Sequence, residues 1–248
     1  MKDRIALVTG GTSGIGFAIV KQLLDNGCYV FINYGHNEDN KYRANSELSS
    51  KYLGKYSFIK ADVTDETGVI KMFEEIDNRF GRLDYLVNNA GVNLESYIEE
   101  FSVNSFQYVL NVNLIGKLIC TKFALKLLRN SSYPSIVNIG SRLSDKPYDG
   151  SSAYSASASG VISFTKSCAL EFAVDKIRVN CVSPGFTVTS MIANSWTKEE
   201  IDKEKNNNPS GRLALPDDIA NAVIFLLSDK ADYINGENIN VSGGWSLM

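Results

Sequence analysis

Seven short apolar and β-branched runs punctuate the chain: Ile5–Val8, Tyr29–Ile32, Tyr56–Ile59, Leu83–Val87, Ser135–Ile139, Ile177–Val182 and Asn238–Val241. Between them the apolar positions change to a helical period, as in Phe17–Asn26, Val69–Phe80, Ser105–Arg129 and Ala153–Val174. Strands that are apolar on both faces need cover on both, and parallel strands joined by helical crossovers provide it. The pattern predicts an α/β fold, a doubly wound parallel sheet of about seven strands with helices on both faces.

The rhythm breaks at about residues 189–213, a stretch rich in Lys, Glu and Asn with Trp196 as its one large apolar residue. Ligands of doubly wound sheets bind beyond the carboxyl ends of the strands, so an insertion after the sixth strand is placed to act as a substrate lid. A solvated surface excursion is the alternative. No Pro/Gly/Ser-rich linker divides the 248 residues, which predicts a single domain over 1–248.

Composition narrows the function. With 44% apolar residues, 21% charged and a net charge of −3, no basic face is implied for nucleic acid or an anionic membrane. No apolar run approaches the roughly 20 residues that span a bilayer. Met1-Lys2-Asp3-Arg4 leads into the first strand without a signal-peptide core, so a cytoplasmic location is expected. Cys28, Cys120, Cys168 and Cys181 are far apart within strand and helix runs, which predicts buried free thiols. His36 is the single histidine, which excludes a multi-histidine metal site and argues against a serine–histidine hydrolase.

Directly after the first strand comes Thr9-Gly10-Gly11-Thr12-Ser13-Gly14-Ile15-Gly16. Gly10, Gly14 and Gly16 permit a tight turn, a close approach of backbone to pyrophosphate, and close packing of helix on strand. The helix that follows offers N–H groups and a positive dipole end to phosphate, with Thr12, Ser13 and Ile15 in the same loop. Such a loop, between a strand and a helix, marks a Rossmann-type dinucleotide site. Asp62-Val63 closes the third strand, where a carboxylate can accept from an adenine amino group, and Asn88-Asn89-Ala90-Gly91 closes the fourth.

Taken with Asn113, Ser141, Tyr154, the Pro184-Gly185 turn with Thr189, and the tail Gly236-Glu237 to Gly243-Gly244, these motifs resemble the short-chain dehydrogenase/reductase family over essentially the whole chain. The tail and the stretch Arg212–Ile219 look most like bacterial 3-oxoacyl carrier-protein reductases. The resemblance implies a nicotinamide nucleotide held by the glycine loop and Tyr34, by Asp62 and Val63, by Asn89, Ala90 and Gly91, and by Pro184, Gly185, Thr187 and Thr189. It also implies a homotetramer, and small residues from Ala156 to Ser163 suit close helix approach across a two-fold axis. The second strand ends Ile32-Asn33-Tyr34-Gly35 without the acid that would bind adenosine-ribose hydroxyls and repel a 2′-phosphate. NADP(H) is therefore expected over NAD(H), although Ser13 stands where many NADP-dependent relatives have arginine.

By the same resemblance Ser141 holds a substrate carbonyl oxygen, Tyr154 protonates the forming alkoxide, and Asn113 seats a water in the proton relay. One departure stands out. The family's lysine, four residues after the tyrosine, is here Ala158. That lysine binds the nicotinamide ribose and favours the tyrosine phenolate, so Tyr154 is expected near or above the reference value of about 10. Loss of a positioned acid–base group costs on the order of 10²–10⁴ in rate. Restoring lysine at 158 is accordingly expected to raise ketone reduction by at least about tenfold. Lys166, roughly 12 Å further along the same helix, is out of reach, whereas Lys146 in the preceding loop could swing in.

An engineered alanine substitution and a natural departure both account for Ala158. The sequence thus predicts an oxidoreductase moving hydride between NADP(H) and a ketone or secondary alcohol, impaired by the missing lysine. The alternatives are a non-redox cyclase, isomerase or dehydratase on the same scaffold, and a cofactor-binding subunit without turnover. The substrate, a small carbonyl or alcohol, either free or carrier-protein-bound, is not readable.

Overall fold

The structure is a computed structural model that describes residues 1–189 and 197–247. The expected strands are present: β1 Ile5–Val8, β2 Tyr29–Tyr34, β3 Tyr56–Lys60, β4 Tyr85–Asn88, β5 Ser135–Ile139, β6 Arg178–Pro184 and β7 Asn238–Val241. They form one seven-stranded sheet in the order β3-β2-β1-β4-β5-β6-β7, with every neighbouring pair parallel. The order reverses between β1 and β4, which opens a crevice at the carboxyl ends of these strands.

The helices are α1 Gly14–Asp25, α2 Glu38–Ser49, α3 Glu66–Phe80, α4 Val103–Leu110, α5 Gly116–Arg129, α6 Ser152–Glu171, α7 Lys198–Asn207 and α8 Pro216–Leu227. Two separate apolar cores confirm cover on both faces. Ile19, Leu23, Val223 and Leu226 of α1 and α8 pack on one face, and Val69, Ile76, Cys120 and Cys168 of α3, α5 and α6 on the other. Helix α2 buries only Ala44 and Leu48, so hydrophobic period barely marks it; the Asn37 side chain caps it by accepting from Asn40 N–H.

The long helix expected over Ser105–Arg129 is interrupted. Residues Asn111–Ile115 form a π turn between α4 and α5. On length and composition alone Val103–Arg129 would suffice to cross a membrane, contrary to the sequence reading, but Ile119, Cys120, Ala124 and Leu127 lie in the core under the sheet. A buried polar chain ties this segment to the strands. Asn88 Nδ2 donates to Thr121 Oγ1 at 3.0 Å and Asn138 Oδ1 at 2.9 Å, and Asn138 Nδ2 donates to Thr165 Oγ1 at 2.9 Å.

All four cysteines are free and buried. Within the expected lid, Thr197 and Glu200 form a capping box that starts α7, while Trp196, its expected anchor, lies outside the described residues.

Candidate active site

The glycine loop takes the form its residues require. Gly10 and Gly14 have φ of +60° and +54°, a region that side chains disfavour. Gly16 is needed for space, because a Cβ there would lie 2.4 Å from the Gly10 carbonyl oxygen and 2.5 Å from Asn89 Nδ2. The loop is held from three strands. Asn33 Oδ1 accepts from Gly10 N–H at 3.4 Å, and Thr9 Oγ1 accepts from the N–H groups of Asn89 and Ala90 at 2.9 and 3.0 Å. Asn89 Nδ2 donates to the Thr9 and Gly10 carbonyls at 2.9 and 3.1 Å. Asn89 therefore acts on the loop itself.

Helix α1 starts without a side-chain cap and without an acid in its first turn, whereas α2, α3 and α4 are capped by Asn37, Asp65 and Ser102. Uncapped N–H groups at a helix start suit a phosphate. Thr189 reaches over this end from the loop after β6, its Cγ2 3.3 Å from where a Gly14 Cβ would sit. Thr187 Oγ1 bonds the Gly185 carbonyl at 3.0 Å, and Gly185 leaves no room for a Cβ beside Ser242. These features fit a dinucleotide pyrophosphate.

At the adenosine end, Asp62 Oδ1 accepts from Thr64 N–H and Oγ1 at 2.8 Å each, and Oδ2 lies 3.2 Å from His36 Nε2. Burial would raise the Asp62 carboxyl, yet the Thr64 and His36 contacts hold it below its usual value. Tyr34 is buried with its ring edge-on to Phe58 at 6.3 Å. Val63 is core, against Gly116.

Asn113, Ser141, Tyr154 and Ala158 line one partly open cavity of about 50 Å³ together with Asn89, Ala90 and Gly91. The π turn presents Asn113, whose Oδ1 accepts from Val92 N–H at 2.8 Å while Nδ2 donates to Val92 O at 3.0 Å and Ser157 Oγ at 3.2 Å. Ser141 follows β5 and caps a short 3₁₀ turn by accepting from Leu143 N–H at 3.2 Å. Tyr154 stands in the first turn of α6. Burial pushes its hydroxyl above the ordinary value, and a hydrogen bond with Ser141 opposes the rise. At neutral pH it holds its proton.

Several residues had not been read from the sequence. Lys117 of α5 lies on the wall of the same cavity, 5% exposed, with Nζ donating to the Ala90 carbonyl at 2.9 Å. Burial lowers it to about 8. Its position four residues after Asn113, on the same helical face, was the available clue. Arg142 is buried with its guanidinium 3.2 Å from the Trp245 ring centroid and 4.0 Å from that of Phe186, pinning the C-terminal turn. A wider cavity of about 400 Å³ opens between Ser96, Tyr97 and Ile98 on one side and Pro147 and Tyr148 on the other, bordering α6 at Ser155.

Residues 10–246 match the family model described as Enoyl-(Acyl carrier protein) reductase. The chain is 36% identical to the 3alpha-hydroxysteroid dehydrogenase of Mediterraneibacter gnavus, over 98% of this chain and 97% of that one. It is 38% identical to the 3-oxoacyl-[acyl-carrier-protein] reductase FabG of Aquifex aeolicus, over 98% of each. Among solved structures, levodione reductase superposes with a TM-score of 0.94 at 30% identity, covering 100% of this chain and 99% of that one. ElxO with NADP bound gives 0.91 at 31%, covering both chains fully. A glycine loop opening α1, a serine after β5 and a tyrosine on α6 in one crevice, matched along the whole chain by dehydrogenases and reductases, make it a member of the short-chain dehydrogenase/reductase family and an NAD(P)-dependent enzyme of that family.

Proposed function

We propose that this protein uses NADP(H) to interconvert a ketone and a secondary alcohol, with Ser141 and Tyr154 acting on the substrate oxygen. The observation that carries the reading is the convergence of Ser141, Tyr154 and Asn113 on one cavity beside the glycine loop. The nucleotide, when bound, supplies or accepts the hydride. The Ser141 hydroxyl orients the carbonyl oxygen, and Tyr154, protonated at neutral pH because it is buried, gives its proton to the forming alkoxide. Asn113, fixed by Val92 and Ser157, is positioned to hold a relay water.

NADP(H) is favoured over NAD(H) because β2 ends in Asn33 and Tyr34, with no acid to repel a 2′-phosphate, and His36 lies just beyond. The ElxO structures carry NADP or NADPH, which supports the same choice. The wider cavity, edged by Tyr97, Ile98 and Pro147, suits an apolar carbon skeleton. The named substrates of the relatives, a hydroxysteroid and a 3-oxoacyl group, share a hydroxyl or keto group on such a skeleton. We propose a lid role for the segment at about 189–213, of which 190–196 lie outside the described residues, and we take the chain as one domain in the cytoplasm that assembles as a homotetramer.

The test is NADPH oxidation, followed by loss of its absorbance, against cyclic ketones, keto-steroids and 3-oxoacyl thioesters. Reduction of at least one class, with NADP bound more tightly than NAD, is expected. Tight NADP binding with no ketone reduced and no alcohol oxidised would refute the reading.

A further inference from the structure

We propose that Lys117 supplies the positive charge of this site, reaching from α5 into the space that a lysine at position 158 would enter from α6. The inference rests on the reductase reading above. Ala158 and Lys117 line the same cavity; the first contributes only a methyl group, the second an ammonium. Lys117 is almost wholly buried, yet its one hydrogen-bond partner among the described residues is the neutral carbonyl of Ala90, and no carboxylate pairs with it. A buried ammonium without a counter-charge is costly, and an apolar residue of similar size would fill the position more cheaply. Two of its three N–H donors remain uncommitted.

Other cations do not compete. Lys166 is exposed, and Lys146 lies 5.5 Å from the Trp245 ring centroid. The titratable groups acting on Lys117 are Cys181 on β6 and Cys120 on its own helix, which burial pushes to about 11 and about 12, while Tyr154 on α6 lines the same cavity. All three are therefore neutral at physiological pH. Helix α3 also packs on α5, but its Glu66 and Asp77 pair with Lys122 and Lys126.

The chemistry this serves is balanced. As the carbonyl carbon takes a hydride from the reduced nicotinamide, its oxygen takes the Tyr154 proton. The Tyr154 O–H bond breaks, the alcohol O–H bond forms, and a phenolate remains until it regains a proton from water. Lys117 offsets the phenolate charge at that moment, and its free donors face the cavity in which the nicotinamide end of the nucleotide would lie. Since burial lowers Lys117 to about 8, its charge is lost at a pH where an ordinary lysine keeps it. The expected gain from Ala158→Lys is therefore reversed: in the native background two ammonium groups would share about 50 Å³.

The experiment compares Lys117→Met, Ala158→Lys and the double variant with the native enzyme, by kcat/KM across pH and by NADPH fluorescence titration. Lys117→Met is expected to lose roughly 10²-fold in kcat/KM and the double variant to recover at least about tenfold of it, with Ala158→Lys alone giving no gain. Native turnover should decline above about pH 8, and the double variant's should not. NADPH affinity at neutral pH should weaken in Lys117→Met and return in the double variant. That affinity pattern without reduction of any ketone supports the role of Lys117 and refutes the reductase reading. Native-like turnover and affinity in Lys117→Met, or a tenfold gain or more from Ala158→Lys alone, overturns the proposal.

Discussion

Removing the Lys117 charge should stabilise the ligand-free protein. Burial lowers this lysine from 10.5 to about 8, and at about 1.4 kcal/mol per pKa unit the charged form is disfavoured in the fold by roughly 3 kcal/mol. Lys117→Met keeps the length and much of the apolar volume but gives up the hydrogen bond to the Ala90 carbonyl, which offsets about 1–1.5 kcal/mol. The net gain is about 2 kcal/mol near neutral pH, or about 4–8 °C in melting temperature for a chain of this size. The pH dependence follows from a depressed folded-state value. Below about 8 both folded and unfolded chains carry the proton and the native fold bears the full penalty. Between that pH and the unfolded value of about 10.4 only the unfolded chain binds it, so native stability rises with pH and the advantage of the variant fades. Melting curves of both proteins, without nucleotide, at neutral and at alkaline pH measure this. A variant less stable at neutral pH, or an advantage that does not shrink as pH rises, would show that Lys117 carries no unpaired buried charge.

Gly16→Ala should weaken NADP binding at least about tenfold and destabilise by about 1–3 kcal/mol, since its methyl group would displace the Gly10 carbonyl or Asn89; nucleotide titration and a melt check both. Tyr154→Phe should lower kcat on a ketone by on the order of 10²–10⁴ while NADPH still binds, as seen in steady-state rates beside a binding titration. Val103, Tyr108, Ile115 and Leu118 leave apolar surface exposed along α4 and α5, so light scattering should find a tetramer. A mass of 27.3 kDa, that of one chain, would refute this.

The sheet was legible because strands buried on both faces must be apolar throughout, and that run length survives in the sequence. Helix α2 was not, since with Ala44 and Leu48 alone buried its caps rather than its period define it. The glycine loop and the positions of Ser141 and Tyr154 could be read because each is bound to a strand end. Lys117 was missed for a physical reason. A lysine within an amphipathic helix reads as a solvated head on an apolar stem, and only the packing of α5 under β4 shows that its ammonium points inward. Asn113 was named, but the π turn that presents it leaves no local signature in composition.

That turn has a consequence for how the chain can vary. A π turn amounts to one residue inserted into a helix, and one residue corresponds to about 100° of helical phase. The five residues Asn111–Ile115 thus index α5 relative to α4: they set which azimuth of α5 meets the sheet, where Ile119, Cys120 and Ala124 pack, and which meets the cavity, where Lys117 projects. Losing one residue here would swing all of these round together, carrying the ammonium away from Tyr154 and apolar side chains into its place. Insertions and deletions should therefore be tolerated in the exposed turn at 53–55, between α2 and β3, but barred from this one turn, where catalytic geometry and core packing share a single angular register.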